Sequence, residues 1–260
     1  MRILFIGDIV GKPGRKAVKE LVRKIMDEHK IDFVIANGEN AAGGKGITRD
    51  VAKELFDAGV DVLTMGNHVW DNKDVYNFID DEPRLIRPAN YPGDCPGRGY
   101  NVFPGPNGYR IGIINISGRV FMGDLDSPFT TIDYILKKLE GQTEIIIVDI
   151  HAEATSEKIA FSYYIEGKVT AILGTHTHVQ TSDEKILPGG TAYITDVGMT
   201  GPSDSVLGVT KELSIQKFLT QRPVGFDVAS GPSQFDAVVI EIDQGFKPTK
   251  IYRIKEHMAE

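Results

Sequence analysis

The chain has 260 residues, of which 41% are hydrophobic and 25% charged, with a formal net charge of −7. This is the profile of a globular protein that can bury a substantial core, read here as one domain over 1–260. It argues against a grip on long duplex nucleic acid, because no Lys/Arg-rich block interrupts the acidic balance, and against a membrane protein, because no apolar run approaches the ~20 residues needed to cross a bilayer.

The N-terminus "MRILFIGDIVGKPG" has a short apolar stretch ending in Gly-Asp, which is not a secretory signal pattern. Its strand-like run is "RILFIGD", Arg2 to Asp8. A helix is expected from near Pro13, with Val18, Leu21, Val22 and Ile25 at the 3–4 spacing of one apolar face. "DFVIANGEN" reads as a strand, followed by a helix from Thr48 through "RDVAKELFDAG". "VDVLTMGNH" reads as a strand, with another helix after Asp71. This β-α-β-α-β alternation predicts a largely parallel sheet with helical crossovers. "RPANYPGDCPGRGYNVFPGPNGYR" is dense in Pro and Gly and reads as loops and turns. The strands "RIGIINISG", "TEIIIVDIHAE", "KVTAILGTH", "TAYITDVGM" and "FDAVVIEID" follow, rich in β-branched residues and joined by short connections. A sheet-on-sheet core covered by helices is the natural architecture. The lone Cys95 allows no intrachain disulfide, fits a reducing cytoplasm, and lacks a sequence neighbour to activate it as a nucleophile.

The strand ends carry the chemistry. They present Asp8, then Glu39 and Asn40, then Asn67 and His68, then His151, then His176 and His178. Singly each has an ordinary reading. Asp8 could cap a helix, Glu39 could be a solvated carboxylate, and the histidines could be loop residues. Together they place a carboxylate, carboxamide or imidazole at five successive strand ends, expected along one edge of one sheet, where α/β proteins bind ligands. His176 and His178 are two apart in an extended segment, so both rings face one spot. Asp, Glu, Asn and three His without a thiolate suit Mn²⁺, Fe or Zn²⁺ better than Mg²⁺. They outnumber the ligands of one tetrahedral ion, and two ions sharing a carboxylate would use them. "GDIVGKPG" and "AAGGKGIT" both miss the spacing of a phosphate-binding P-loop.

"GDIV", "GEN", "GNHVW", "DIHAEAT" and "GTHTH" resemble the strand-end motifs of calcineurin-type metallophosphoesterases. Three departures stand out: Val10 where that pattern has His, Glu39 where it has a bridging Asp, and the intruding Thr175. With "YITDVGMTGP" (Tyr193 to Pro202), these departures are similar to the YmdB-like family of bacterial metallophosphoesterases over almost the whole chain. The resemblance implies a four-layer α/β/β/α sandwich of the metallophosphoesterase type and a 2′,3′-cyclic-nucleotide 2′-phosphodiesterase. It implies two di- or trivalent metal ions, iron first, with Mn²⁺ or Zn²⁺ as alternatives. Asp8, Glu39 and His178 would hold one ion, and Asn40 would fill the gap left at Val10 unless it touches substrate instead. Glu39, Asn67, His151 and His176 would hold the other.

The expected reaction is attack by a metal-bridging hydroxide, with His68 as general acid on the leaving oxygen. The partner is then a small cyclic nucleotide, and the resemblance also suggests a homo-oligomer. Two rival readings share these motifs: a phosphomonoesterase or protein phosphatase, and a metal-stabilised nucleotide-binding regulator without turnover. His68 argues against the second, because a binding module needs no leaving-group acid.

Overall fold

The computed structural model describes residues 1–259. The first half contains β1 (Arg2–Ile6), β2 (Asp8–Ile9), α1 (Gly11–His29), β3 (Phe33–Asn37), α2 (Arg49–Ala58), β4 (Val62–Thr64), β5 (Leu85–Ile86), β6 (Tyr100–Pro104) and β7 (Arg110–Ser117). The second half contains α3 (Pro128–Leu139), β8 (Ile145–His151), α4 (Thr155–Ile165), β9 (Ala171–Thr175), β10 (Lys185–Ile186), β11 (Ala192–Ile194), β12 (Met199–Pro202), α5 (Lys211–Thr220), β13 (Ser233–Ile242) and β14 (Pro248–Met258).

One sheet runs β2-β12-β13-β1-β3-β4-β5, with β14 on the free edge of β13. Strands β1, β3, β4 and β5 are parallel, and β13 is antiparallel to both β1 and β14. The second sheet runs β10-β11-β9-β8-β7-β6, with β7, β8, β9 and β11 parallel.

Side-chain alternation sorts these strands into four layers. In β1, Leu4 and Ile6 pack with Val18, Val22 and Leu55 of the two N-terminal helices, while Ile3 and Phe5 face the other way. They meet Ile113, Ile147 and Leu173 of the second sheet. That sheet's outer residues Ile114, Val148 and Ile172 pack under Ile132 and Ile135 of α3 and Phe161 of α4. Three apolar interfaces therefore separate helix, sheet, sheet and helix, giving the expected α/β/β/α sandwich.

The structure corrects several element assignments. The helix expected after Asp71 is only a short 3₁₀ turn, Lys73–Asn77, started by the Asn72 side chain. The Pro/Gly-rich middle contains strand β6, which pairs antiparallel with β7. The connections in the later half are not all short, because α3 and α4 are crossovers between parallel strands. Arg2 to Asp8 is not one strand: it breaks at Gly7, where any Cβ would strike the Gly198 carbonyl. The strand ends also do not lie along one sheet. Glu39 and Asn67 follow β3 and β4 of the first sheet, while His151 ends β8 and His176 follows β9 of the second.

Candidate metal centre

The two sheets bring these ends together around the His151 ring, which is fully buried. Its Nε2 lies 3.0 Å from Glu39 Oε1, 3.1 Å from Asn67 Oδ1 and 3.1 Å from His176 Nδ1. One imidazole nitrogen has either one proton or one lone pair, so it cannot satisfy three such neighbours. These spacings instead suit ligands of a shared ion: bonds of ~2.1 Å put neighbouring ligand atoms of an octahedron ~3.0 Å apart. Glu39, His151 and His176 form a group able to hold a metal ion. Gly66 leaves the space they need, since a Cβ there would collide with His151 Nε2 and Glu39 Oε2.

The hydrogen-bond network assigns the tautomers. Thr175 Oγ1 donates to Asp149 Oδ1 at 2.7 Å, so it accepts from His151 Nδ1 at 2.9 Å, and in the neutral ring that binds metal the lone pair is on Nε2. His176 Nε2 lies 3.1 Å from Glu153 Oε2, which turns Nδ1 inward. His178 Nδ1 donates to the Leu207 carbonyl at 3.0 Å, freeing Nε2. These outer contacts are of the kind that orient metal-binding imidazoles.

Asp8 and His178 lie beside the cluster, and Asn40 is held in the loop after β3. Asp8 is buried, and its Oδ2 accepts from the His176 amide at 3.1 Å. Its Oδ1 lies 3.9 Å from both His178 Nε2 and His151 Nδ1. Asn40 Nδ2 donates to the Gly44 carbonyl at 3.0 Å. Among the described residues, Asp8 Oδ1 and Asn40 Oδ1 are buried oxygens without a hydrogen-bond partner. Buried acceptors of this kind are rare and costly unless a cation or donor uses them. Asp8 is not a helix cap, because α1 starts after Val10 without a side-chain cap.

The electrostatics converge on one positive charge. Burial would lower the His151 imidazole, but the Glu39 and Asp8 carboxylates outweigh it and push it up to about 9. Burial would raise Glu39, but His151 and the His68 amide hold it down to about 2. Burial and the neighbouring His151 push His176 down to about 3. Asp8 is raised, chiefly by burial. The carboxylates thus stabilise a single cation at His151, and that charge together with burial keeps the adjacent His176 lone pair open.

His68 is part of the same frame. Its amide donates to Glu39 Oε2 at 2.9 Å, and its ring Nδ1 lies 2.8 Å from Asp71 Oδ2, so Nε2 points away from both. Sequence reasoning did not single out Asp71, Glu153, Asp149 or Asn37, and it marked Thr175 only as a departure from the motif. Asn37 Oδ1 accepts from the Glu39 amide at 3.1 Å, and its Nδ2 reaches Asp149 Oδ2 at 3.1 Å. A signal for some of them existed. Asp149 is two residues from His151 on one strand face, and Asp71 lies one turn beyond His68.

The sequence matches the YmdB-like protein family over residues 4–254. It is 52% identical over 255 residues to the 2′,3′-cyclic-nucleotide 2′-phosphodiesterase of Bacillus subtilis (strain 168), covering 98% of this chain and 96% of that protein. The crystal structure of a phosphatase from Mycoplasma pneumoniae superposes with a TM-score of 0.94 at 36% identity, over 100% of this chain and 94% of that one. A hypothetical protein from Thermus thermophilus superposes equally well, with a TM-score of 0.94 at 43% identity, over 99% of this chain and 100% of the other. The sandwich is of the metallophosphoesterase type.

Proposed function

The chain belongs to the YmdB-like protein family, and from that premise we propose that it is a dinuclear-metal phosphodiesterase opening 2′,3′-cyclic nucleotides to 3′-monophosphates. The observation that carries this reading is the crowding of Glu39 Oε1, Asn67 Oδ1 and His176 Nδ1 around His151 Nε2 at 3.0–3.1 Å. Those four residues would hold one ion. Asp8, Asn40 and His178 would hold the other, with Glu39 shared, and the unpartnered Asp8 Oδ1 and Asn40 Oδ1 fit that use. Iron, Mn²⁺ and Zn²⁺ all suit such oxygen and imidazole donors. Bound ions of this kind acidify water toward neutral pH and offset the charge of the phosphoryl oxygens.

The protein groups complete the chemistry. His68 is held by Asp71 through Nδ1 at 2.8 Å, so Nε2 is the atom that carries a proton to the substrate. A water that has released one proton to solvent bonds through its oxygen to phosphorus, the P–O2′ bond breaks, and the His68 proton goes to O2′, His68 then regaining a proton from solvent. The tethered leaving group stays on the ribose, which makes the product a 3′-monophosphate. The proposed catalytic unit is the whole of 1–260 as one domain. Its lone thiol, Cys95, fits a cytoplasmic setting.

The test is hydrolysis of 2′,3′-cyclic AMP, with Mn²⁺ or iron supplied, by wild type and His68→Ala, counting metal on both. Turnover to the 3′-monophosphate, lost in the variant while about two metals per chain remain, is the expected result. The phosphatase description of the Mycoplasma pneumoniae relative favours one second reading, a phosphomonoesterase. Faster hydrolysis of an aryl phosphate monoester than of the cyclic nucleotide would establish it instead.

A further inference from the structure

The segment "YITDVGMTGP" supplies no ligand to the proposed centre, yet its Asp196 is completely buried. Asp196 Oδ2 accepts from the Thr177 amide at 3.0 Å, from Thr177 Oγ1 at 2.7 Å and from Lys158 Nζ at 2.8 Å. Its Oδ1 accepts from the Gly198 amide at 2.8 Å. The Asp196 backbone is itself pinned, since its amide donates to Thr181 Oγ1 at 2.9 Å and its carbonyl accepts from the Thr181 amide at 3.0 Å. Lys158 comes from α4 and is also fully buried, so the pair is a charge-assisted contact shielded from water.

The two groups that Asp196 grips both lead to metal-facing residues. Thr177 lies between His176 and His178, whose backbones have φ of 98° and 64°. Non-glycine residues leave this region unless their surroundings hold them there. A carboxylate holding both the amide and the hydroxyl of the intervening residue is such a holder. On the other branch, the Gly198 carbonyl accepts from the Asp8 amide at 3.0 Å. One buried carboxylate therefore connects the His176–His178 turn to Asp8, which lies far from it in sequence.

We infer that Asp196, paired with Lys158, is the positioning residue of the metal centre: it fixes the His176–Thr177–His178 turn and the backbone of Asp8 in the arrangement that metal requires. This rests on the dinuclear reading above. Removing the Thr177 grip leaves the fold intact and loosens the ligands.

The experiment compares Mn²⁺ titration calorimetry on wild type, Thr177→Val, Thr177→Ser and Asp196→Asn, with thermal unfolding of each in chelator. Thr177→Val keeps the shape and loses the hydroxyl. It is expected to bind Mn²⁺ ~10–100-fold more weakly, as other supporting-residue losses do, with chelated unfolding within a few degrees of wild type. Thr177→Ser restores the hydroxyl and the affinity. Asp196→Asn turns an amide nitrogen toward existing donors and is expected to bind more weakly than Thr177→Val; the threonine pair carries the test if Asp196→Asn does not fold. Wild-type Mn²⁺ affinity in Thr177→Val, or equal weakening in the Val and Ser variants, overturns the clamp. A wild type that binds no Mn²⁺ overturns the metal-centre reading itself, which separates the two failures.

Discussion

Chelation followed by a rise in pH is expected to destabilise the protein through His151. Burial alone would lower this imidazole, but Glu39 at 3.0 Å and Asp8 at 3.9 Å outweigh it and raise it from 6.5 to about 9. The native state then binds the proton more tightly than the unfolded chain. The resulting stability is fully present below pH 6.5 and is lost as pH climbs through about 9. This rise corresponds to about 3 kcal/mol, or ~6–12 °C in Tm for a chain of this size. Asp149 does not confound the window. Burial raises its pKa from 3.8 to about 6, so most of its linked loss falls below pH 6.5. The assay is calorimetry of chelated protein between about pH 6.5 and about pH 9.5, with His151→Gln as the control. Saturating Mn²⁺ reverses the trend, because metal and proton compete for the same lone pair and rising pH favours metal. Equal loss of stability in chelated wild type and His151→Gln across this window would mean that the linked proton is not on His151.

Three further outcomes follow from the site. Gly66→Ala puts a methyl group onto His151 Nε2 and Glu39 Oε2, so metal analysis should find the position shared by these residues empty. Asn40→Ala removes the unpartnered Oδ1 and the 3.0 Å bond to Gly44; calorimetric titration should show ~10–100-fold weaker binding of one ion, with about 1 kcal/mol lost in chemical denaturation. His68→Asn should lower kcat ~10²–10⁴-fold at unchanged metal content, and an aryl phosphodiester whose leaving group needs no proton should recover most of the rate.

Local pattern made much of this site legible. The α1 face of Val18, Val22 and Ile25 is buried as its spacing predicts, and Thr48 caps α2 by accepting from the Val51 amide at 3.2 Å. The metal-type residues stood out because each closes an apolar run, which is a local signal. What stayed hidden depends on contacts between distant segments. Nothing near Asn67 says that the His151 strand belongs to a different sheet, and nothing near Asp196 points to Lys158 or Thr177. The expected helix after Asp71 failed for a local reason. Asn72 accepts from the Asp74 amide and Phe78 turns into the core, so the chain completes only a 3₁₀ turn. Strand β6 was masked by its Pro and Gly neighbours, although it lies at a sheet edge where such residues are tolerated.

The absence of a histidine at position 10 has a steric reason, and its proposed substitute, Asn40, lies in the loop after β3. Val10 is buried, donates its amide to the Thr200 carbonyl at 2.9 Å, and packs against Gly201 and Gly208, so an imidazole would have to displace backbone. Asn40 approaches from β3 instead, with its carbonyl accepting from the Gly11 amide at 2.9 Å. Gly43, Gly44 and Gly46 have φ of 70°, 96° and 69°, which folds the loop so that the Gly44 carbonyl takes the Asn40 amide nitrogen. The oxygen is then the free end of that side chain. In the proposed centre this makes the two positions unequal: one has three oxygen donors and a single imidazole, the other two oxygen donors and two imidazoles. Oxygen donors favour harder ions, so Asn40 in place of a histidine biases the first position toward iron or Mn²⁺ over Zn²⁺. The "AAGGKG" loop, which resembles a phosphate cradle on composition alone, would thus act on a metal of the proposed centre through the orientation of one amide.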